Sequence, residues 1–238
     1  MLEIKNFVKI YGTKKVVNNF SVNVASGEIC AFIGHNGAGK TTTLKAIAGI
    51  IDFEEGEILV NGKSIKSEPL IVKNMIGYLP DNPDLYENLK GIDYPNFIAD
   101  VFEISSALRK ERIEMYAKRL KIYDDLKAPI STYSHGMKQK LALVSVFIHK
   151  PKLYLFDEPF VGLDPVSSHE LKKIMDEECK NGASFFYSTH ILEVAEKICS
   201  NVVIIKNGKL MGSGTMENVK GEKDLEKIFL DLENENND

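Results

Sequence analysis

Residues 28–44 read EICAFIGHNGAGKTTTL, and the remainder of the chain is interpreted from them outward. Residues 28–33 are a short apolar run of the kind that forms a buried strand. A glycine-bearing loop follows, then an apolar-periodic segment with helical spacing. The loop matches G-x-x-x-x-G-K-[ST], with Gly34, Gly39, Lys40 and Thr41 at the fixed places. Strand, loop and helix stand in the order this motif requires. Gly37 and Gly39 let the backbone curl without Cβ clashes, so successive N–H groups point inward at phosphate oxygens. Because the loop opens a helix, the helix's unpaired N–H groups and positive dipole end face the same anion. Lys40 is expected to reach the β- and γ-phosphates, and the Thr41 hydroxyl to bind Mg²⁺. A chance glycine-rich turn would produce the pattern in about one sequence in a hundred of this length. The flanking elements lower that further, and a P-loop nucleotide site is predicted.

At 238 residues, the chain has room for one large domain or two small lobes. Hydrophobic residues at 44% and charged residues at 27% match a soluble globular protein. No apolar run approaches the ~20 residues of a membrane span. The opening MLEIKNFVKI alternates and carries charge, which is not the pattern of a signal peptide. Cys30, Cys179 and Cys199 are far apart and show no C-x-x-C, so neither a disulfide framework nor a zinc site is expected. A net charge of −4 argues against a general nucleic-acid binder, and no nucleic-acid partner is expected.

Taken in order, 2–10 and 16–24 read as two β segments joined by Tyr-Gly-Thr-Lys-Lys. Tyr11 ends the first, where strand packing alone explains an aromatic. Residues 56–65 read as a hairpin turning at Asn61-Gly62, and 75–79 as a strand ending at Pro80. From Asp81 the character changes: DNPDLYENLKG is loop-like, and 93–127 has helical spacing with mixed charge, amphipathic over 107–123. Residues 129–139 read as a second loop and 141–148 (LALVSVFI) as an apolar helix. Then come an apolar strand ending in two acids (KLYLFDEP), a helix over 167–180, a strand ending at a histidine (184–190, SFFYSTH), and a hairpin over 202–211 turning at Asn207-Gly208. Strands alternating with helices predict an α/β fold with a mainly parallel sheet. The end, GEKDLEKIFLDLENENND, reads as a short helix running into an acidic, disordered tail.

A P-loop requires a partner that holds Mg²⁺ and readies water. Asp157, ending an apolar strand, is the expected second magnesium carboxylate. Glu158 follows at once and is placed to polarise water as a general base; helix capping before Pro159 does not explain the apolar run into these acids. His190 ends a later strand, where parallel α/β sheets place ligand-contacting groups. His35, His135, His149 and His169 lack metal-ligand spacing, so no metal other than Mg²⁺ is expected.

Nearly the whole chain resembles the nucleotide-binding subunits of ABC transporters, with the family's motifs in the family's order. Gly34, His35, Asn36, Gly37, Ala38, Gly39, Lys40, Thr41 and Thr42 match the Walker A loop, and 153–158 the Walker B strand with Glu158 as catalytic carboxylate. The resemblance makes Tyr11 the aromatic that stacks on adenine, Asp164 the D-loop aspartate within 162–165 (GLDP), and His190 the switch histidine. YSHGMKQ (133–139) stands where the signature LSGGQ belongs, giving Ser134, His135, Gly136 and Met137 the role of binding the γ-phosphate of ATP held by another subunit. His135 replaces a glycine there and requires a backbone angle open to a side chain. Asp81 falls where a Q-loop glutamine normally stands; a carboxylate is likewise a hard Mg²⁺ ligand, though one carbon shorter.

These variants, and the C-terminal DLEKIFLDL, are similar to the ABC-2-type exporter branch, in which ATPase and membrane subunits are separate chains. The resemblance implies a P-loop NTPase core with an N-terminal antiparallel β subdomain and an inserted helical subdomain. An ATPase domain over 1–212 would comprise a core lobe (about 1–84 and 136–212) and a helical lobe (about 85–135), with 213–238 as C-terminal helix and tail. It further implies an ATP-hydrolysing subunit using ATP and Mg²⁺, paired with a second ATPase subunit. A separately encoded integral membrane permease would hold that pair at the cytoplasmic face of the membrane. The alternative is a soluble ATPase of the same type, but no sustained heptads, second cassette or zinc cysteines mark one.

Overall fold

In a computed structural model that describes residues 1–220 together with Leu225 and Lys227, the chain opens on an antiparallel hairpin. Its strands are β1 (Leu2–Tyr11) and β2 (Lys14–Val24). Tyr11 pairs with Lys14 and Ile10 with Lys15, so the turn is Gly12–Thr13 rather than the five residues expected. Gly12 at φ 60° supplies the left-handed first position that suits a two-residue turn to the twist of the strands. Then follow β3 (Ile29–Ile33), α1 (Lys40–Ile47), and the hairpin β4 (Glu55–Val60) and β5 (Lys63–Ser64), which turns at Asn61 and Gly62, both at positive φ. After α2 (Pro69–Met75) and β6 (Ile76–Leu79) come the helices α3 (Asp93–Val101) and α4 (Ser106–Arg119). Two 3₁₀ turns, Tyr123–Lys127 and Ile130–Thr132, lead to α5 (His135–Phe147). The chain continues through β7 (Leu153–Asp157), α6 (Pro165–Lys180), β8 (Ser184–Thr189), α7 (Leu192–Ile198), β9 (Asn201–Lys206), β10 (Lys209–Thr215) and α8 (Met216–Lys220).

The strands form two sheets: an antiparallel one in the order β2-β1-β4-β5, and a six-stranded one in the order β10-β9-β3-β8-β7-β6. The second is parallel except where β10 returns along β9. Its central strands β3, β7 and β8 are buried throughout because both faces are covered, and their period of two divides the side chains between two cores. Ala31, Ile33, Tyr154, Phe156, Phe185, Tyr187, Val202 and Ile204 face α3–α6. Cys30, Phe32, Leu153, Leu155, Phe186, Val203 and Ile205 face α1 and the antiparallel sheet. Tyr154 stacks on Phe185 with ring centroids 4.3 Å apart, and Phe32 on Phe186 at 4.8 Å.

Helices α3 and α4 pack on α5 as a lobe beside the sheet. Polar contacts fasten α4 to α6: Arg119 forks onto Glu177 and reaches Glu170 at 3.3 Å, and the Tyr116 hydroxyl donates to the buried Glu178 at 2.8 Å.

Several expected boundaries move. Residues 135–139, expected in a loop, are the first turns of α5, because Ser134 caps that helix through a bond from Met137 N–H to its Oγ. Helix α6 starts at Pro165 behind the Asp164 cap, two residues before its expected start. Helices α2 and α7 were not anticipated; at seven residues each, they are too short to show a helical period. The hairpin expected to end near Met211 continues to Thr215, followed by α8, so the stretch after 212 begins as strand. The acidic tail, and all of the expected C-terminal helix except Leu225 and Lys227, lie outside the described residues. Leu225 is buried, and its N–H donates to Glu196.

Candidate nucleotide-binding and catalytic site

Strand β3 delivers the P-loop to the end of the parallel sheet, and close packing dictates its glycines. A Cβ on Gly34 would sit 2.4 Å from the Ile205 carbonyl oxygen of β9. Gly39, at φ 109°, caps α1 and would bring a Cβ to 3.0 Å from Val17 of β2; Gly37 lies at φ 82°. Only glycine enters these backbone angles at little cost. Lys40 folds back over the loop, donating from Nζ to Gly34 O at 2.6 Å and His35 O at 3.2 Å. Burial lowers its pKa, while Glu158, Asp157 and Asp81 oppose that shift. The ammonium thus already faces three carboxylates across a cavity of about 190 Å³ that Asn36, Gly37, Gly39, Thr41 and Thr42 also line.

The acids reach this cavity from two strand ends. Asp157 ends β7 almost wholly buried; its Oδ1 accepts from Ser188 Oγ, and its Oδ2 has no partner. A buried carboxylate oxygen with no donor is costly unless a cation completes it. With the Thr41 hydroxyl and Asp81 lining the same cavity, these residues fit a hard oxygen-seeking cation such as Mg²⁺. Among the described residues, no three His, Cys, Asp or Glu side chains gather as a metal cluster. Such an ion would therefore draw its remaining ligands from phosphate and water.

Glu158 follows in the left-handed region at φ 50°, which costs a non-glycine residue about 1 kcal/mol or more. Its N–H is held by Ser188 O at 3.2 Å and Ser188 Oγ at 3.1 Å. The turn points its carboxylate at His190, just beyond β8, with Oε2 3.0 Å from Nδ1 and 3.4 Å from the His190 N–H. Asp81, Glu158 and His190 also line an adjoining cavity of about 430 Å³ beside Gly34, His35 and Asn36. Ala38 is buried beneath the loop.

Other predicted residues lie elsewhere. Tyr11 is half exposed at the end of β1 and lines neither cavity; Lys9 Nζ sits 5.1 Å from its ring centre. Ser134, His135, Gly136 and Met137 also line neither, forming the N-terminus of α5 against the turn before α6. His135 stands in ordinary helical backbone, so a side chain there meets no left-handed angle. Gly136 is different: its Cβ would come within 2.4 Å of Gly162 O. Asp164 caps α6 by accepting from Ser167 N–H and Oγ, and pairs with Lys140 Nζ at 2.6 Å. The Lys140 bond, then those from Ser167, pull its carboxyl pKa far below the usual carboxylate range. Reading by motif missed Ser188 and Lys140. The signal for Ser188 was available, since it is the polar residue in register with Asp157 on the neighbouring strand.

Known proteins match this arrangement. A family model described as ABC transporter matches residues 17–161. The ABC-type transporter ATP-binding protein EcsA of Bacillus subtilis is 35% identical over 240 residues, spanning 99% of this chain and 97% of that protein. A solved ATP-binding subunit of an ABC transporter superposes with a TM-score of 0.93 at 33% identity, covering 98% of this chain and 99% of that one. The cbiO1 structure from Clostridium perfringens, part of the ABC transporter complex cbiONQ, gives 0.79 at 26% identity over 98% of each chain. This chain belongs to the ABC transporter family, as an ATP-binding subunit that hydrolyses ATP.

Proposed function

We propose that two copies of an ATPase chain close around two ATP molecules and that this closure drives a separate membrane permease, in the direction of export. One observation carries the dimer. The cavity that gathers Lys40, Thr41, Asp157 and Glu158 is not lined by Ser134, His135, Gly136 or Met137, which supports a reading in which a single chain presents halves of two different sites. A second chain, turned to face the first, would bring its Ser134 hydroxyl and the N–H groups at the start of α5 to the γ-phosphate, an anion suited to a helix N-terminus.

Within each site, Lys40 exchanges two carbonyl acceptors for the β- and γ-phosphates, a charge-assisted and stronger pairing. Thr41, Asp157 and Asp81 would hold Mg²⁺, which when bound neutralises charge developing on the phosphate oxygens. Glu158 orients a water and takes its proton, and His190 moves from the Glu158 carboxylate toward the γ-phosphate. Tyr11 stacks on adenine at the mouth of the site, and Asp164 approaches the other chain. Hydrolysis breaks the bond to the γ-phosphate, and when the freed phosphate leaves, the anion that both chains contact is gone and they part.

The permease would dock along the free edge of β6, where a cavity of about 300 Å³ is lined by Ile50, Tyr78, Leu85, Tyr94, Ile98 and Phe102. Exposed Tyr86, whose ring contacts Tyr94 and Phe97, and exposed Phe97 extend that apolar surface. The segment from Asp81 to the start of α3 joins it to the nucleotide site and would pass the movement on. No helix among the described residues is long and apolar enough to cross a membrane, so attachment at the cytoplasmic face would come through this docking. Export rests on the Asp81 and His135/Met137 variants.

A Glu158→Gln chain with Mg·ATP is expected to lose ATPase activity by about 10²–10⁴-fold and to elute as a dimer in size-exclusion chromatography. A chain that stays monomeric would count against the homodimer. Affinity purification from detergent-solubilised native membranes should recover a polytopic protein in stoichiometric amount. Recovery from the soluble fraction alone would move the role to a soluble machine.

A further inference from the structure

We infer that Ser188 is a positioning residue for both acids of the site: its hydroxyl aims Asp157 at the metal and anchors the turn that carries Glu158. The inference rests on the proposed roles of Asp157 and Glu158. Three observations converge on one buried oxygen. Ser188 is fully buried on β8, in register with Asp157 of β7, so their side chains share a face of the sheet. Its Oγ donates to Asp157 Oδ1. The same Oγ accepts from the Glu158 N–H at 3.1 Å, where the backbone stands at φ 50°.

The consequence follows from counting donors and acceptors. A hydroxyl has one proton and two lone pairs, and Ser188 uses its proton on the carboxylate and a lone pair on the amide. Occupying Oδ1 restrains the Asp157 carboxylate, which lines the cavity that Lys40 and Thr41 share, and leaves Oδ2, the buried oxygen without a partner, free to take a cation. The Glu158 N–H keeps a second acceptor in Ser188 O at 3.2 Å, so losing the hydroxyl does not orphan the amide. It frees the carboxylate to rotate and loosens a strained turn. Supporting groups of this kind typically change metal affinity or activity by about 10–100-fold.

Ser188→Ala and Ser188→Cys remove the strong donor, the second while filling nearly the same space; Ser188→Thr keeps it. Each full-length variant is tested in three ways: binding of mant-ATP in EDTA, the Mg²⁺ concentration that half-saturates mant-ATP binding, and kcat with KM for ATP. For Ala and Cys we expect EDTA binding within about twofold of wild type, a half-saturating Mg²⁺ about tenfold higher, and a kcat about tenfold or more lower. Threonine should restore both within about threefold. An unchanged Mg²⁺ requirement in Cys and Ala would overturn the inference, as would a parallel loss of EDTA binding or a threonine variant as impaired as alanine. If Ala fails to fold, Cys carries the same comparison. Glu158→Gln and Asp157→Asn, run alongside, separate the outcomes: full activity in either would refute the roles beneath the inference, not the inference alone.

Discussion

At the scale of single residues, the sequence marks chemistry more clearly than environment. Lys40, Thr41, Asp157 and Glu158, which line one cavity, could be singled out because the phosphate and metal chemistry proposed for them demands those residue types at strict spacing. His149 could not, because its character comes from what covers it. Its ring lies 3.8 Å from Phe102 and nearly parallel to it, with Nε2 3.2 Å from Ile76 O. Burial, more than the nearby Arg112, lowers its pKa to about 4. The sign of the consequence is fixed by linkage. Between the unfolded value of about 6.5 and the folded value of about 4, the unfolded chain binds a proton that the native chain refuses. The native state therefore loses stability as pH falls through that window and is unaffected by this group above it. Asp164, with a depressed folded pKa, loses its contribution only at lower pH, below the usual carboxylate range. Urea denaturation at pH 7 and pH 5 should show wild type losing up to about 2 kcal/mol more than His149→Phe, which keeps the ring stack without the titration. Equal losses in both proteins would assign the acid sensitivity elsewhere.

At the scale of elements, legibility followed length and period. The strands around residue 30 and that ending at Asp157 could be read as apolar runs, the one ending at Thr189 as a short strand before a histidine, and Asn-Gly marked two hairpins. Helices α2 and α7 left no periodic trace, and the start of α5 was misplaced because Ser134 looks like a loop residue until its bond to Met137 N–H makes it a cap. Tertiary contacts also decide what Gly136 means. As a helical residue it should be improved by alanine, by up to about 1 kcal/mol from propensity. Its Cβ, however, would lie 2.4 Å from the carbonyl oxygen of Gly162, a backbone atom that cannot swing aside like a side chain. Overpacking of this kind costs about 1–3 kcal/mol and outweighs the propensity gain. Gly136→Ala should lower the urea midpoint without changing the slope. It should also weaken the Lys140–Asp164 pairing that binds α5 to the α6 cap. A raised midpoint would mean that the two backbones separate freely, and that α5 and the turn before α6 do not move as one body.

At the scale of the whole molecule, the mainly parallel sheet was readable from the order of strands and helices and the antiparallel β subdomain from the family resemblance, whereas the proposed division of the site between chains is a matter of where surfaces face. The P-loop cavity opens beside Asp81 and His190, while Ser134 lies at the exposed start of α5, outside it. If each complete site joins one chain's Lys40 to the other's Ser134 across a two-fold axis, defects in the two halves should complement each other. Lys40→Ala disables the phosphate grip of its own cavity. Ser134→Arg places a long side chain where the partner's nucleotide would sit, and loses a helix cap worth about 1 kcal/mol. Each variant alone has two defective sites. In a heterodimer, both defects fall in one site, and the other combines an intact Lys40 with an intact Ser134. Random pairing makes half the dimers mixed, each with one working site in two. With sites that act independently, an equimolar mixture should thus regain roughly a quarter of wild-type ATPase activity. Activity that never exceeds the sum of the two separate variants would place Lys40 and Ser134 in the same site of the same chain, and the closed two-fold dimer would have to be abandoned.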